Sequence, residues 1–211
     1  MKPVTEILPL YFIMGSQDCT HDPIWTLEEA IKGGITCFQF REKGEHALAG
    51  EEMEALAREL QARCKEYNIP FIINDDVALA QKLDADGVHV GQDDTPISDV
   101  VHHFQGKYIG LSVHTLEEAI RAAQDQVDYI GVGPIFDTST KKDAKKASGV
   151  TTIQQIRKSG MTIPIVGIGG INADNAKSVM DAGAEGVSLI SAISQSNDPS
   201  SSAKTLRAAI Q

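Results

Sequence analysis

Ile35-Thr36-Cys37-Phe38-Gln39-Phe40-Arg41-Glu42-Lys43 begins as an apolar run and ends in polar residues at alternate positions. Successive side chains of a β-strand face opposite sides, so Gln39, Arg41 and Lys43 line one face at steps of roughly 6.6 Å. Phe40 and Glu42 take the other face. If the first face is buried, its two cations and one amide need partners. An anionic ligand meets that need, and so do acidic core residues.

The same signature recurs along the chain. Apolar, β-rich runs occupy Ile7 to Met14, Ile35 to Phe40, Phe71 to Ile73, Gly87 to Val90, Tyr108 to Val113, Tyr129 to Phe136, Ile163 to Ile168 and Gly186 to Ile193. Most are continuously apolar rather than alternating, as expected of parallel strands covered on both faces. Helical patterns separate them. Thr26 with Glu29, Thr115 with Glu118, and Thr151 with Gln154 have capping-box spacing, and Gly33, Gly160 and Gly183 stand where helices should stop. Glu51 to Tyr67 is the longest helical pattern, Asn172 is placed to cap a helix reaching Asp181, and Ser200 to Ile210 reads as a closing helix. Eight alternating units predict an α/β fold: a single (β/α)₈ TIM barrel domain spanning residues 1–211. The competing fold is an open doubly wound sheet. Its dinucleotide fingerprint is missing, because Gly131-Val132-Gly133-Pro134-Ile135-Phe136 puts Phe at the third glycine position.

Composition narrows the partners. A formal net charge of -10 and an aromatic content of 5% argue against nucleic acid. The run from Ile7 to Met14 is too short to span a bilayer. The three cysteines, Cys19, Cys37 and Cys64, have neither disulfide nor zinc spacing, which fits a reducing cytoplasm. Cys37 shares the parity of Gln39 and reads as a small interior residue. Homo-oligomerisation is left open.

A barrel places its chemistry at the C-terminal ends of the strands. There the chain carries Asn74-Asp75-Asp76, Gly91-Gln92-Asp93-Asp94, Ser112-Val113-His114, Asp137 to Asp143, Gly169-Gly170 and Ile190-Ser191. Carboxylates on adjacent strands, about 4.8 Å apart, repel each other unless a cation sits between them. Asp75 with Asp94 therefore reads as a Mg²⁺ site, and Asp76 as the cap of the following helix. Arg41, Lys43 and Lys141 supply the positive charge that a departing pyrophosphate needs. The glycines at 169 and 170 and the Ile190-Ser191 turn read as a second anion site. Ser112 reads as a hydrogen-bond donor to ligand, since no nucleophile elbow surrounds it. His114 reads as structural, His89 as ordinary, and Thr138 to Ser148 as a loop able to close over a ligand.

These motifs together match a known family. QFREK at Gln39 to Lys43, INDD at Ile73 to Asp76, DGVHVGQDD at Asp86 to Asp94, GPIFDTSTKKDA at Gly133 to Ala144, VGIGGI at Val166 to Ile171 and GVSLISAI at Gly186 to Ile193 appear in its order. Over nearly its whole length the chain resembles the thiamine-phosphate synthase (thiamine-phosphate pyrophosphorylase) family. The resemblance implies a Mg²⁺-dependent transferase that joins a hydroxymethylpyrimidine diphosphate to a thiazole phosphate carboxylate. It also implies a dissociative route, in which pyrophosphate departs first to leave a pyrimidinylmethyl cation that the thiazole nitrogen attacks, with CO₂ as the other product. It implies that Gln39, Phe40, Arg41, Glu42, Lys43, Asn74, Ser112 and Lys141 meet the pyrimidine diphosphate, with Arg41, Lys43, Ser112 and Lys141 catalytic. Asp75 and Asp94 would hold Mg²⁺, and Thr138, Ser139, Thr140, Gly170, Ile190 and Ser191 would meet the thiazole phosphate. Asp137 departs from the family, whose members usually have proline there. The alternatives are a thiazole tautomerase relative, which needs no complete pyrophosphate and metal site, and a non-catalytic phosphate-ligand binding protein on the same fold.

Overall fold

A computed structural model describes residues 1–138 and 147–211. Eight parallel strands close into a barrel in chain order: β1 Leu10–Met14, β2 Cys37–Phe40, β3 Phe71–Asn74, β4 Gly87–Val90, β5 Tyr108–Val113, β6 Tyr129–Val132, β7 Ile165–Ile168 and β8 Gly186–Leu189. Closure excludes the open sheet, because Tyr11 of β1 is in register with both Cys37 of β2 and Ser188 of β8. The helices among the described residues are α1 Val4–Ile7, α2 Pro23–Gly33, α3 Gly50–Glu66, α4 Val77–Lys82, α5 Ile97–His103, α6 Leu116–Gln124, α7 Thr151–Lys158, α8 Ala176–Asp181, α9 Ser191–Ser194 and α10 Pro199–Ala209. None is long and apolar enough to cross a membrane.

Several boundaries differ from the sequence expectation, each for a local reason. The first apolar run is divided: α1 ends at Ile7 and β1 starts only after Pro9, which has no amide hydrogen for a ladder. Ile7 and Leu8 instead join the inner core beside Tyr11. Thr26 lies inside α2, because Asp22 takes the cap by accepting from Trp25 N at 2.9 Å and Pro23 follows at the first helical position. Thr151 likewise opens α7 rather than capping it. Asn172 lies in a turn tied to Asn175, so α8 begins only at Ala176. Thr115 does cap α6, accepting from Glu118 N at 3.2 Å. Asp76 caps α4 as expected, accepting from Leu79 N at 2.8 Å.

Strand parity divides the core in two. Phe12, Phe38, Phe40, Phe71 and Val88 pack outward against the helices, while Tyr11, Ile13, Cys37, Ile72, Tyr129 and Val166 fill the barrel. At the N-terminal rim one device repeats on alternate strands. The residue just before an even strand accepts a hydrogen bond from the first or second amide of the preceding odd strand. Thr36 Oγ1 takes Leu10 N at 2.9 Å, Asp86 takes Phe71 N at 2.9 Å, Asp128 takes Ile109 N at 2.8 Å and Glu185 takes Ile165 N at 2.6 Å. These side chains satisfy strand-end donors that would otherwise be buried without a partner. The opposite rim is thereby left to loops.

Candidate active site

The C-terminal rim surrounds a cavity of about 290 Å³. Arg41 and Lys43 reach it from beyond β2, Asn74 and Asp75 from the end of β3, and Asp94 from beyond β4. Ser112 and His114, Thr138, Gly170, Ile190 and Ser191 complete the part that the sequence singled out. Ser139, Thr140 and Lys141, with most of the proposed closing loop, lie outside the described residues.

Within the Gln39 to Lys43 segment, alternation sorts the side chains. Arg41 is only 8% exposed and Lys43 is more open. The side chains of Phe40 and Glu42 do not line the cavity, in keeping with their parity, which leaves their backbone as the part able to meet a ligand. Phe40 stacks on Phe71 in the outer core, their rings 6.5 Å apart. Glu42 accepts from Ser16 N, Ser16 Oγ and Leu48 N, at 2.8, 2.6 and 2.8 Å. Both have the opposite parity to Arg41, so they anchor the segment to its neighbours. Gln39 has the inward parity, but it lies below the cavity and donates to the Tyr11 hydroxyl at 2.9 Å.

Opposite the cations, Lys43 Nζ lies 2.7 Å from Asp75 Oδ2. Asp75 sits in the left-handed region at φ 60, held by its amide donating to His89 O at 2.9 Å. Asp94 is fixed by accepting from Gly91 N at 2.8 Å. Partial burial, a hydrogen bond with Asp75 and the Asp75 charge together raise the Asp94 carboxyl above its ordinary range. Its bond to Asp75 chiefly raises Lys43. Two carboxyls that resist joint ionisation form a suitable donor set for a hard divalent cation. Mg²⁺ typically takes one or two protein carboxylates and keeps water and phosphate oxygens in the rest of its shell, so the chemistry of this pair fits that ion; among the described residues no group of three or more His, Cys, Asp or Glu could hold a metal.

The far side of the cavity is built from backbone. Gly170 has φ 62, and a Cβ there would stand 2.5 Å from Asp137 O and 2.8 Å from Phe136 Cβ. The chain after β6 is laid against it, with Ile135 N and Phe136 N donating to Ile168 O and Gly169 O at 2.8 and 3.0 Å. Gly170 thus serves the packing of two loops as well as the cavity wall. Asp137 itself is exposed. His114 lines the cavity, with its Nδ1 at 2.5 Å from Gly133 O.

Sequence reasoning missed the residue beneath Ser112. His89 Nε2 lies 2.9 Å from Ser112 Oγ, and His89 Nδ1 lies 3.2 Å from the Tyr129 hydroxyl. The available signal was a histidine of inward parity in the run Gly87-Val88-His89-Val90-Gly91.

A closed barrel whose rim sets basic side chains and two carboxylates around one cavity is a (β/α)₈ barrel with its polar groups gathered at the C-terminal ends of the strands. The thiamine monophosphate synthase family pattern matches residues 10–193, and the chain belongs to that family. It is 58% identical over 205 residues to a thiamine-phosphate synthase of Bacillus cereus, covering 97% of this chain and 94% of the relative. It is 52% identical over 210 residues to a thiamine-phosphate synthase of Bacillus licheniformis, covering 100% and 94%. A solved thiamine phosphate pyrophosphorylase from Pyrococcus furiosus superposes with a TM-score of 0.88 at 34% identity, covering 98% of this chain and 97% of that one.

Proposed function

We propose that the protein is a thiamine-phosphate synthase, with residues 1–211 acting as one catalytic domain in the cytoplasm. It would couple a hydroxymethylpyrimidine diphosphate to a thiazole phosphate carboxylate, yielding thiamine phosphate, pyrophosphate and CO₂. The observation that carries this reading is the cluster of Arg41, Lys43, Asp75 and Asp94 around one cavity. A single carboxylate ligand would not call for it, whereas a diphosphate with its counter-ion would.

Asp75 and Asp94 would hold Mg²⁺, which neutralises diphosphate charge when bound. Arg41, Lys43 and Lys141 stabilise the charge that develops as the bond between the methylene carbon and the diphosphate oxygen breaks. Ser112 and Asn74 hold the pyrimidine diphosphate in place. Phe40, Glu42 and Gln39 keep the segment rigid, so that Arg41 and Lys43 are preorganised. Thr138, Ser139, Thr140, Gly170, Ile190 and Ser191 seat the thiazole phosphate. The thiazole nitrogen then attacks the methylene carbon of the pyrimidinylmethyl cation; the ring carboxylate leaves as CO₂, and the electron pair left on the ring carbon takes up a proton from solvent to give thiamine phosphate. This dissociative route requires charge stabilisation and orientation but no activated protein nucleophile.

Incubation with both substrates, with and without Mg²⁺, while pyrophosphate and thiamine phosphate are followed together, tests the reading. Metal-dependent formation of both products is expected. Pyrophosphate release without coupling, or no reaction, would overturn it.

A further inference from the structure

A file of buried polar groups runs up the barrel to the cavity. Gln39 Nε2 is 2.9 Å from the Tyr11 hydroxyl, Tyr11 is 2.8 Å from the Tyr129 hydroxyl, Tyr129 is 3.2 Å from His89 Nδ1, and His89 Nε2 is 2.9 Å from Ser112 Oγ. Gln39, Tyr11 and Tyr129 are at most 2% exposed and His89 is 7% exposed. Groups so placed must satisfy one another.

The sequence makes room for the imidazole. A Cβ on Gly110 would lie 2.3 Å from His89 Nδ1 and 2.5 Å from the Tyr129 hydroxyl, and one on Gly131 would lie 3.1 Å from His89 Cε1. Two neighbouring strands therefore lack side chains where the ring sits. Within the file an amide nitrogen can only donate, so the Tyr11 oxygen accepts from Gln39. Tyr11 then has its own proton for Tyr129, and Tyr129 has its proton for His89 Nδ1. The reverse order would set two donors on the Tyr11 oxygen and leave the Tyr11 proton with no acceptor among the groups of the file. The forward order leaves the imidazole proton on Nε2.

We propose that His89 is a positioning residue: as the Nε2–H tautomer it donates to Ser112 Oγ, leaving the Ser112 hydroxyl proton to be donated into the cavity. The assignment rests on the synthase reading, in which Ser112 meets the pyrimidine diphosphate. The file makes Ser112 a donor at the moment of binding, with no rotation of its hydroxyl needed, and an anionic or lone-pair-bearing ligand atom is the partner that suits it.

Two measurements test it. In the parent protein labelled with ¹⁵N-histidine, the His89 signals, assigned by their loss in His89→Gln, are expected to report protonation at Nε2 alone at about pH 8. Protonation at Nδ1 would overturn the proposal whether or not the protein makes thiamine phosphate. In the kinetic arm, His89→Phe is expected to lower kcat about tenfold in the parent but less than about twofold in Ser112→Ala, because the two residues act as one. His89→Gln, which keeps an amide donor near the Nε2 position, is expected to recover most of the loss. Equal losses in both backgrounds, or no recovery by glutamine, would overturn it. Failure of the parent to couple the substrates would defeat the synthase reading and leave the tautomer measurement to decide the hydrogen-bond direction.

Discussion

Lys43 and Asp75 are joined by a 2.7 Å ion pair across the ends of β2 and β3. The Asp75 carboxyl in turn acts on its neighbour Asp94. Partial burial first, and then the neighbouring Asp75 carboxyl, raise Asp94, while the Gly91 amide and Lys43 oppose the shift. The folded-state pKa of Asp94 lies above its unfolded value, so its contribution to stability is present at low pH and lost as pH rises through the raised pKa. Asp94→Asn removes that loss. Without metal, the variant should gain in melting temperature relative to the parent as pH rises from about 4 to about 7, by roughly 1–2 °C because the group is largely solvated. Added Mg²⁺ should raise the melting temperature of the parent and scarcely alter the variant. Thermal melts over pH, with and without Mg²⁺, check both expectations.

Arg41 is nearly buried at the cavity wall, and Lys43 beside it is half-exposed. A fixed guanidinium stabilises developing charge without reorganising, so Arg41→Ala should lower kcat/KM by roughly 10²–10³-fold. Arg41→Lys should restore little, since an ammonium cannot reproduce the planar fork. Lys141→Ala should also lower turnover far more than stability. Steady-state assays beside denaturant melts distinguish these outcomes. If Arg41→Ala and Lys141→Ala both ran at the parent rate, the assignment would fail.

The barrel was legible because eight apolar runs and their helical separators repeat one unit, and because parity alone assigns Arg41 inward and Phe40 outward. The rim residues Asp75, Asp94 and Ser112 were legible for the same reason, being polar groups at strand ends. His89 was not. Its role depends on Tyr11 and Tyr129, which are far away in sequence and meet it only when the barrel closes. Helix starts were misread where a more N-terminal cap won, as Asp22 with Pro23 did over Thr26. The alternation of side-chain caps at the N-terminal rim, from Thr36 to Glu185, became visible only once strand neighbours were known.

Gly170 combines positive φ with close contact to the chain at Phe136 and Asp137. Alanine there would be strained in its backbone and would push against Asp137 O, a combined cost of about 1–3 kcal/mol. Because the displaced loop borders Thr138, Gly170→Ala should raise KM for the thiazole phosphate more than KM for the pyrimidine diphosphate. Separate titrations of the two substrates, with a melt of the same variant, measure both effects. An equal rise in both constants would remove Gly170 from the thiazole side of the cavity.

Arg157 and Glu185 lie on the opposite side of the molecule from this chemistry. Arg157 Nη2 reaches both Glu185 oxygens at 2.9 and 2.7 Å. Its remaining nitrogens donate to Gly183 O, Met161 O and Ile163 O at 2.8, 3.1 and 2.8 Å. Glu185 also holds the first amide of β7. Removing the guanidinium strands three carbonyls and a part-buried carboxylate together, so Arg157→Ala should destabilise the fold by about 2–4 kcal/mol. Arg157→Lys should recover only part of this, since one ammonium cannot reach all the acceptors at once. Neither change touches the C-terminal rim, so kcat measured well below the melting temperature should stay within about twofold of the parent. Urea unfolding beside turnover at low temperature checks the separation. A large loss of kcat without a loss of stability would mean that the N-terminal rim is coupled to the cavity through the barrel interior.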